Sequence, residues 1–350
     1  MAPSFERIDI ASVDMRELDG YLDRNIHQTL PWVNFIAQTQ QGEPVLAALK
    51  ESGETLGYFT GLLVRKFGFC ILGSPFPGWS TTYMGFNLKP GVPRSLAAAG
   101  LADFAFKALG CHHLELMDRH MTREDYDRLG FETWMFDGYE IDLTQSEDQL
   151  FAAMKHACRQ AIRKAEKSGV TIEEAHDPEF ADDYHNQLKH VFAMHGSVPP
   201  FGVERVRSLI RLVHPSGNLL LLRARNADGQ CLATSISAGI NRHAVSWGAA
   251  SWRHLAGVRP NEALNWHAVK HWKSRGMTTY DMGGLGEYKE KFGPKRISVP
   301  WIHKSRNAQI RFLRVTAEST VRMLQRATGK VARMVELRKQ KKASQDNNAA

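Results

Sequence analysis

The segment PNEALNWHAVKHWKSRGMTTYDMGG, from Pro260 to Gly284, constrains the fold more than any other stretch. Proline suits the first helical position, because its missing N–H would be unpaired there anyway. Leu264, Ala268, Val269 and Trp272 then recur at helical spacing. Gly276 supplies a residue that closes a helix, and MTTYDM reads as a strand running straight into Gly283 and Gly284. Helices and strands that alternate through short connections build an α/β fold. Ligands of open α/β sheets gather at the C-terminal ends of strands, which directs attention to Asp281 and the two glycines behind it.

The rest of the chain repeats this alternation. In the first half, 44–49 and 55–66 read as strands, GSPFPGWS as a turn, 93–109 as a helix ending at Gly110, and 112–117 and 131–142 as strands. A new unit opens near Ser146, where Ser146 and Gln149 form a capping box. Leu150, Met154, Cys158, Ile162 and Ala165 predict one apolar helix face ending at Gly169, flanked by Lys155, Arg159, Arg163, Lys164 and Lys167. A strand (170–174), helices (178–194 and 202–213) and strands (218–225, 231–240 and 243–249) lead to Pro260. With about 150 residues per domain, 350 residues predict a first domain over 1–145 and a second over 146–305. A basic amphipathic helical tail is expected over 306–350.

Charge narrows the function. Residues 304–350 hold 12 Lys and Arg against Glu318, Glu336 and Asp346, so the net charge of +8 resides in the tail and not in the body. A protein that binds nucleic acid over its whole surface is not expected. No apolar run approaches the ~18 residues of a membrane span, and MAPSFERIDI has no signal-peptide pattern; a cytoplasmic protein is expected. The four cysteines show no C-x-x-C spacing and read as reduced thiols. G-x-S-x-G, G-x-x-x-x-G-K-[ST] and H-E-x-x-H are all absent. His185, His190 and His195, five residues apart, point in different directions round a helix, so no metal site is expected.

Candidate chemistry concentrates between Arg253 and Gly293. The loop carrying Arg253, Gly257 and Arg259 feeds the helix at Pro260 and Asn261, whose N-terminal N–H groups can cradle a pyrophosphate; these four functional positions (Arg253, Gly257, Arg259, Asn261) form the expected donor-binding set. Asp281 can orient an amine or accept its proton. Tyr288, Lys289 and Lys291 follow on a segment short enough to cover the site, and a lysine there can stabilise an oxyanion. Arg163, Lys164, Trp266 and Lys291 are the expected substrate-binding residues. Each has a plain structural alternative: Asp281 as a turn cap, the lysines as surface charges, Trp266 as packing.

Four stretches in order, HQTLPWVNFIAQ, RQAIRKAEKSGVTI, NWHAVKHWKSRGMTTYDMGG and EYKEKFG, resemble the FemA/FemB-like branch of the GNAT acyltransferase superfamily. The resemblance spans roughly 27–293 and implies two tandem GNAT-like α/β domains with mixed sheets, the second catalytic. It implies transfer of an acyl or aminoacyl group to an amine, with Lys289 matching the closing-motif lysine, Asp281 the strand-end carboxylate, and Arg163 and Lys164 the basic helix. The donor it implies is an acyl-coenzyme A or an aminoacyl-tRNA. Arg253–Val258 departs from the usual [RQ]-x-x-G-x-[GA] by one place, and no long helical arm interrupts 170–303, so both donors stay open.

The leading expectation is an N-acyltransferase acting on a small-molecule or lipid-linked amine of a cell-envelope or exported-polysaccharide precursor. The alternatives are an aminoacyl-tRNA-dependent transferase acting on a peptidoglycan precursor, and a non-catalytic donor-binding scaffold. The tail, where Arg311, Arg314, Arg322, Arg326, Lys330 and Arg333 alternate with apolar residues, suits peripheral contact with a membrane through 306–342, or with tRNA.

Overall fold

The computed structural model describes residues 3–66 and 68–316. The first half contributes β1 (Ser4–Ile8), α1 (Met15–Asp19), α2 (Leu30–Gln40), β2 (Glu43–Glu51), β3 (Glu54–Lys66), β4 (Phe69–Ser74), β5 (Gly85–Leu88), α3 (Arg94–Asp103), β6 (His113–Leu116) and β7 (Glu132–Asp142). The second contributes α4 (Glu147–Ala153), α5 (His156–Lys167), β8 (Thr171–Glu174), α6 (Phe180–Met194), α7 (Val203–Val213), β9 (Leu219–Arg225), β10 (Cys231–Ile240) and β11 (His243–Ser251). It closes with α8 (Pro260–Ser274), β12 (Thr279–Gly284), α9 (Glu287–Glu290) and β13 (Lys295–Ser305).

The thirteen strands of the described residues join one mixed sheet in the order β1-β2-β3-β4-β6-β13-β7-β12-β11-β10-β9-β8, with β5 on β3. The two halves interlock at its centre. The second half's last strand, β13, lies between β6 and β7, while the first half's last strand, β7, lies between β13 and β12. Helices reinforce the joint: Trp32, Phe35 and Ile36 of α2 share a buried cluster with Val206, Leu209 and Val213 of α7. Two further cores gather around Phe59, Phe86 and Leu101 and around Trp266, Trp272 and Tyr280, each with residues from the other half.

The capping box at Ser146 and Gln149 forms as expected, and Leu150, Met154, Cys158, Ile162 and Ala165 are all buried. Their single predicted helix is nevertheless two. Met154 and Lys155 are extended, because the Lys155 N–H donates to the Lys291 carbonyl at 2.9 Å. Arg159 caps the broken end, its Nη1 donating to the carbonyls of Ala152 and Met154 at 2.8 and 2.5 Å. This docking needs Gly293, whose φ is +74° and whose ideal Cβ would lie 2.6 Å from the Ala153 carbonyl oxygen. Gly276 has a similar φ, +81°, with open space beside it. Gly293→Ala is therefore expected to cost roughly 2–4 kcal/mol of stability, against about 1–2 kcal/mol for Gly276→Ala, read as the difference in urea unfolding midpoints.

The tail expected from 306 is helical over 308–316; Arg322, Arg326, Lys330, Arg333 and the rest of the expected membrane-contact helix lie outside the described residues. No helix among the described residues is long and apolar enough to cross a membrane. The four cysteines are free thiols.

Candidate active site

The site grows out of a fork in the sheet. β11 and β12 run parallel but pair over only three positions, His243–Thr279, Ala244–Tyr280 and Val245–Asp281. Beyond them, each strand carries an extra residue. Trp247 is skipped in the pairing of β11 with β10, and β12 shifts register against β7 between Asp281 and Gly284. Such bulges bend a strand and end its pairing. From Ser246 to Ser251, β11 thus turns an edge toward the diverging β12, with backbone polar groups that no strand pairs on that side among the described residues. Helix α8 returns from the tip of β11 to the base of β12, which sets its N-terminus at the fork's open end.

That N-terminus is prepared in several ways. Arg259 enters it in the left-handed conformation (φ 62°, ψ 42°) with no side-chain cap, and Pro260 follows. The N–H groups at the start of a helix have no partner within it. Glu262, an acidic residue beside them, is neutralised by Lys291 at 2.5 Å. The Asn261 amide donates to Ser251 Oγ at 2.9 Å, tying the helix start to the tip of β11. Arg253, Gly257 and Arg259 are exposed on the preceding turn. Gly257 has an ordinary φ, and a Cβ there would meet nothing within 4 Å, so the protein's own packing does not demand a glycine. Helix α5 packs along α8 and touches this turn, with Arg163 and Lys164 exposed upon it.

Asp281 and Lys289 meet at the Gly283–Gly284 turn that ends β12. The Asp281 carboxyl is 2% exposed, and its Oδ1 accepts the Gly283 N–H at 2.6 Å. Burial raises its pKa, opposed by that N–H, Tyr83, Arg119 and Lys289. Lys289 reaches back so that Nζ donates to the Gly284 carbonyl at 2.7 Å; burial lowers its pKa while Asp281 raises it. Tyr288 is 40% exposed as a residue, but its hydroxyl accepts from Asn265 Nδ2 at 3.2 Å, and Asn265 also donates to the Asn261 carbonyl at 3.0 Å. This chain links α9 to the start of α8. Desolvation carries the Tyr288 hydroxyl well above its ordinary pKa.

The fork thus gathers Arg253, Gly257, Arg259 and Asn261 at its mouth and Asp281, Tyr288 and Lys289 at its closing end. Two other expected residues have protein partners. Lys291 holds Glu262 and lies 3.9 Å over the Tyr288 ring. Trp266 is buried in the core against Phe151, 5.5 Å between ring centroids. The Arg163 guanidinium lies 5.5 Å from that same Phe151 ring. The three spaced histidines form no metal cluster among the described residues; His185 contacts the Phe201 carbonyl at 3.1 Å, and His190 lies tilted against Trp252 and edge-to-face with His254.

Sequence reasoning did not anticipate the residues behind Asp281. Tyr83 and Arg119 come from the first half, and Glu140 from β7 opposite Asp281. Arg119 is ion-paired with Glu140 and lies 5.5 Å over the Tyr83 ring. The Tyr83 ring lies 5.9 Å from His243. No local pattern marks these residues, since their meeting depends on the interlocked strands.

Residues 152–291 match the acetyltransferase (GNAT) domain family. Among solved structures, FemX is similar over 85% of this chain and 96% of its own, at 14% identity and a TM-score of 0.69. The C-terminal domain of a putative lysylphosphatidylglycerol synthetase from Agrobacterium fabrum is similar over 82% and 90%, at 13% identity and a TM-score of 0.53. A tandem GNAT protein from the clavulanic acid biosynthesis pathway is similar over 87% and 99%, at 10% identity and a TM-score of 0.50. No curated protein matches the sequence.

Proposed function

We propose that this chain, whose residues 152–291 match the acetyltransferase (GNAT) domain family and whose fold is that of FemX, moves an acyl group from an acyl-coenzyme A to an amine of a cell-envelope or exported-polysaccharide precursor. The observation that carries the donor assignment is the uncapped N-terminus of α8 at the open end of the β11/β12 fork. Backbone N–H groups and the helix dipole favour a pyrophosphate there, with Arg253 and Arg259 beside it and Gly257 leaving room for close approach. The fork's unpaired strand edges suit an extended, amide-containing arm lying between them. Lysylphosphatidylglycerol synthetase, which shares the fold, supports an envelope-directed acceptor by its name.

In this reading a neutral amine attacks the thioester carbonyl. The C–N bond forms, the C–S bond breaks, and the leaving thiolate becomes a thiol by taking up the proton removed from the amine. Lys289 and β11 backbone N–H groups stabilise the oxyanion, and Asp281 takes the amine's proton. The pH dependence follows from the two perturbed groups. Asp281 must be ionised, and its raised pKa sets an acid limb above the ordinary carboxylate range. Lys289 must be protonated, and its lowered pKa sets a basic limb below the ordinary lysine range. A bell-shaped kcat/KM profile is expected, and a flat profile from pH 5 to 10 would contradict both roles.

Thermal shift tests the donor. A ligand at 100 times its Kd stabilises by about 2.7 kcal/mol, so acetyl-coenzyme A or a longer acyl-coenzyme A is expected to raise Tm, and Arg253→Ala/Arg259→Ala to reduce the rise. A rise with total aminoacyl-tRNA alone would replace this reading with an aminoacyltransferase. No rise with either would favour a scaffold.

A further inference from the structure

Tyr83 is a buried tyrosine of the first half that lies near enough to the Asp281 carboxyl to influence its ionisation. Its side chain is fully buried, and its hydroxyl has no regular hydrogen bond among the described residues, although it interacts electrostatically with the Asp281 carboxyl. A buried hydroxyl left unsatisfied is costly, and native structures keep few of them.

The backbone holds it there under strain. Tyr83 adopts φ 48°, a left-handed conformation unusual for a bulky residue. Neighbouring contacts enforce it. Asn25 Nδ2 donates to the Tyr83 carbonyl at 2.5 Å, Trp32 Nε1 to Thr81 Oγ1 at 3.1 Å, and Gln28 Nε2 to the Met84 carbonyl at 3.1 Å. The ring is clamped by Arg119 on its face and by the edges of Phe136 and His243. Strained residues persist when their surroundings over-determine them, and here the contacts hold both the backbone and the ring of Tyr83.

We propose that Tyr83 is a positioning residue for Asp281, contributed by the first half, whose O–H donates to the ionised carboxylate and keeps its own proton throughout. Gly283 N–H already holds Oδ1, the Tyr83 O–H is a second donor to the same carboxylate, and the two halves form one active site. The proposal rests on the reading of Asp281 as base. The other groups facing that carboxyl are Arg119 after β6, Glu140 on β7, Lys289 on α9 and the adjacent Tyr280.

The test is the ionisation of Asp281, which needs no acceptor. Infrared difference spectra of the full chain, wild type against Asp281→Asn, isolate its carboxyl band across pH. In Tyr83→Phe the midpoint is expected to move up by about one pH unit, the size of a lost hydrogen bond to a charged group. Site-specific 3-fluorotyrosine at 83, a stronger donor, is expected to move it down, which keeps the proposal testable if Tyr83→Phe folds poorly. An unmoved midpoint in either variant, or no titration of Asp281 between pH 3 and 10, overturns it. Failure of the base reading appears separately, as full activity in Asp281→Asn.

Discussion

Lys289→Met is expected to lower kcat/KM by about 10²–10³-fold, the effect of removing one oxyanion donor, with the donor's Kd changed less than threefold. Methionine keeps the length of the side chain but loses the ammonium that donates to the Gly284 carbonyl at 2.7 Å. That bond lies on the surface of the Gly283–Gly284 turn, and Lys289 is only half-buried, so Tm is expected to stay within a few degrees. Loss of its charge also removes an influence that lowers the Asp281 pKa, so the residual activity should show its acid limb at higher pH. Full activity in Lys289→Met would leave the lysine as a clamp on the turn.

Asp281→Asn is expected to lower kcat by about 10²–10⁴-fold, the range of a general base, and to abolish the acid limb. Asparagine keeps an oxygen for the Gly283 N–H, so the turn should survive. Stability gives an independent reading of sign. The Asp281 pKa is raised in the folded state by burial, so the native protein binds that proton more tightly than the unfolded chain. Wild-type stability then falls as pH rises from the ordinary carboxylate pKa through the raised one. Asparagine does not titrate, and the stability of Asp281→Asn relative to wild type should therefore increase across that window and level off above it. A difference that runs the other way would mean that Arg119 and Lys289 outweigh burial.

What was legible in the sequence had local causes. Proline at 260, glycine at 276 and the apolar stripe between them mark α8 without reference to the rest of the chain. The capping box at Ser146 does the same for α4. The helix predicted through Met154 fails because a backbone group from residue 291 breaks it, and no periodicity in 146–168 encodes that partner. β5 is four buried residues reached through Gly85 in a left-handed conformation, too short for any alternation to show. Asp281 and Lys289 were accessible because a strand end and a closing Tyr-Lys motif bracket the same turn. Tyr83, Arg119 and Glu140 were not, because they reach Asp281 only through the exchange of β7 and β13 between the halves.

The same exchange gives the two halves a shared sheet and a shared carboxylate environment, so cutting the chain at residue 145 is not expected to yield an active second half. Arg163 and Lys164 stay on the exposed face of α5, beside the turn that precedes α8.

If the β11/β12 fork receives the acyl donor, a crystal structure with acetyl-coenzyme A bound will show the ligand there. The pyrophosphate is expected on the backbone N–H groups of Asn261 and Glu262, and the thioester between Ser246–Ser251 and the end of β12, near Lys289. Coenzyme A bound elsewhere, with the fork closed or filled by side chains, would contradict it.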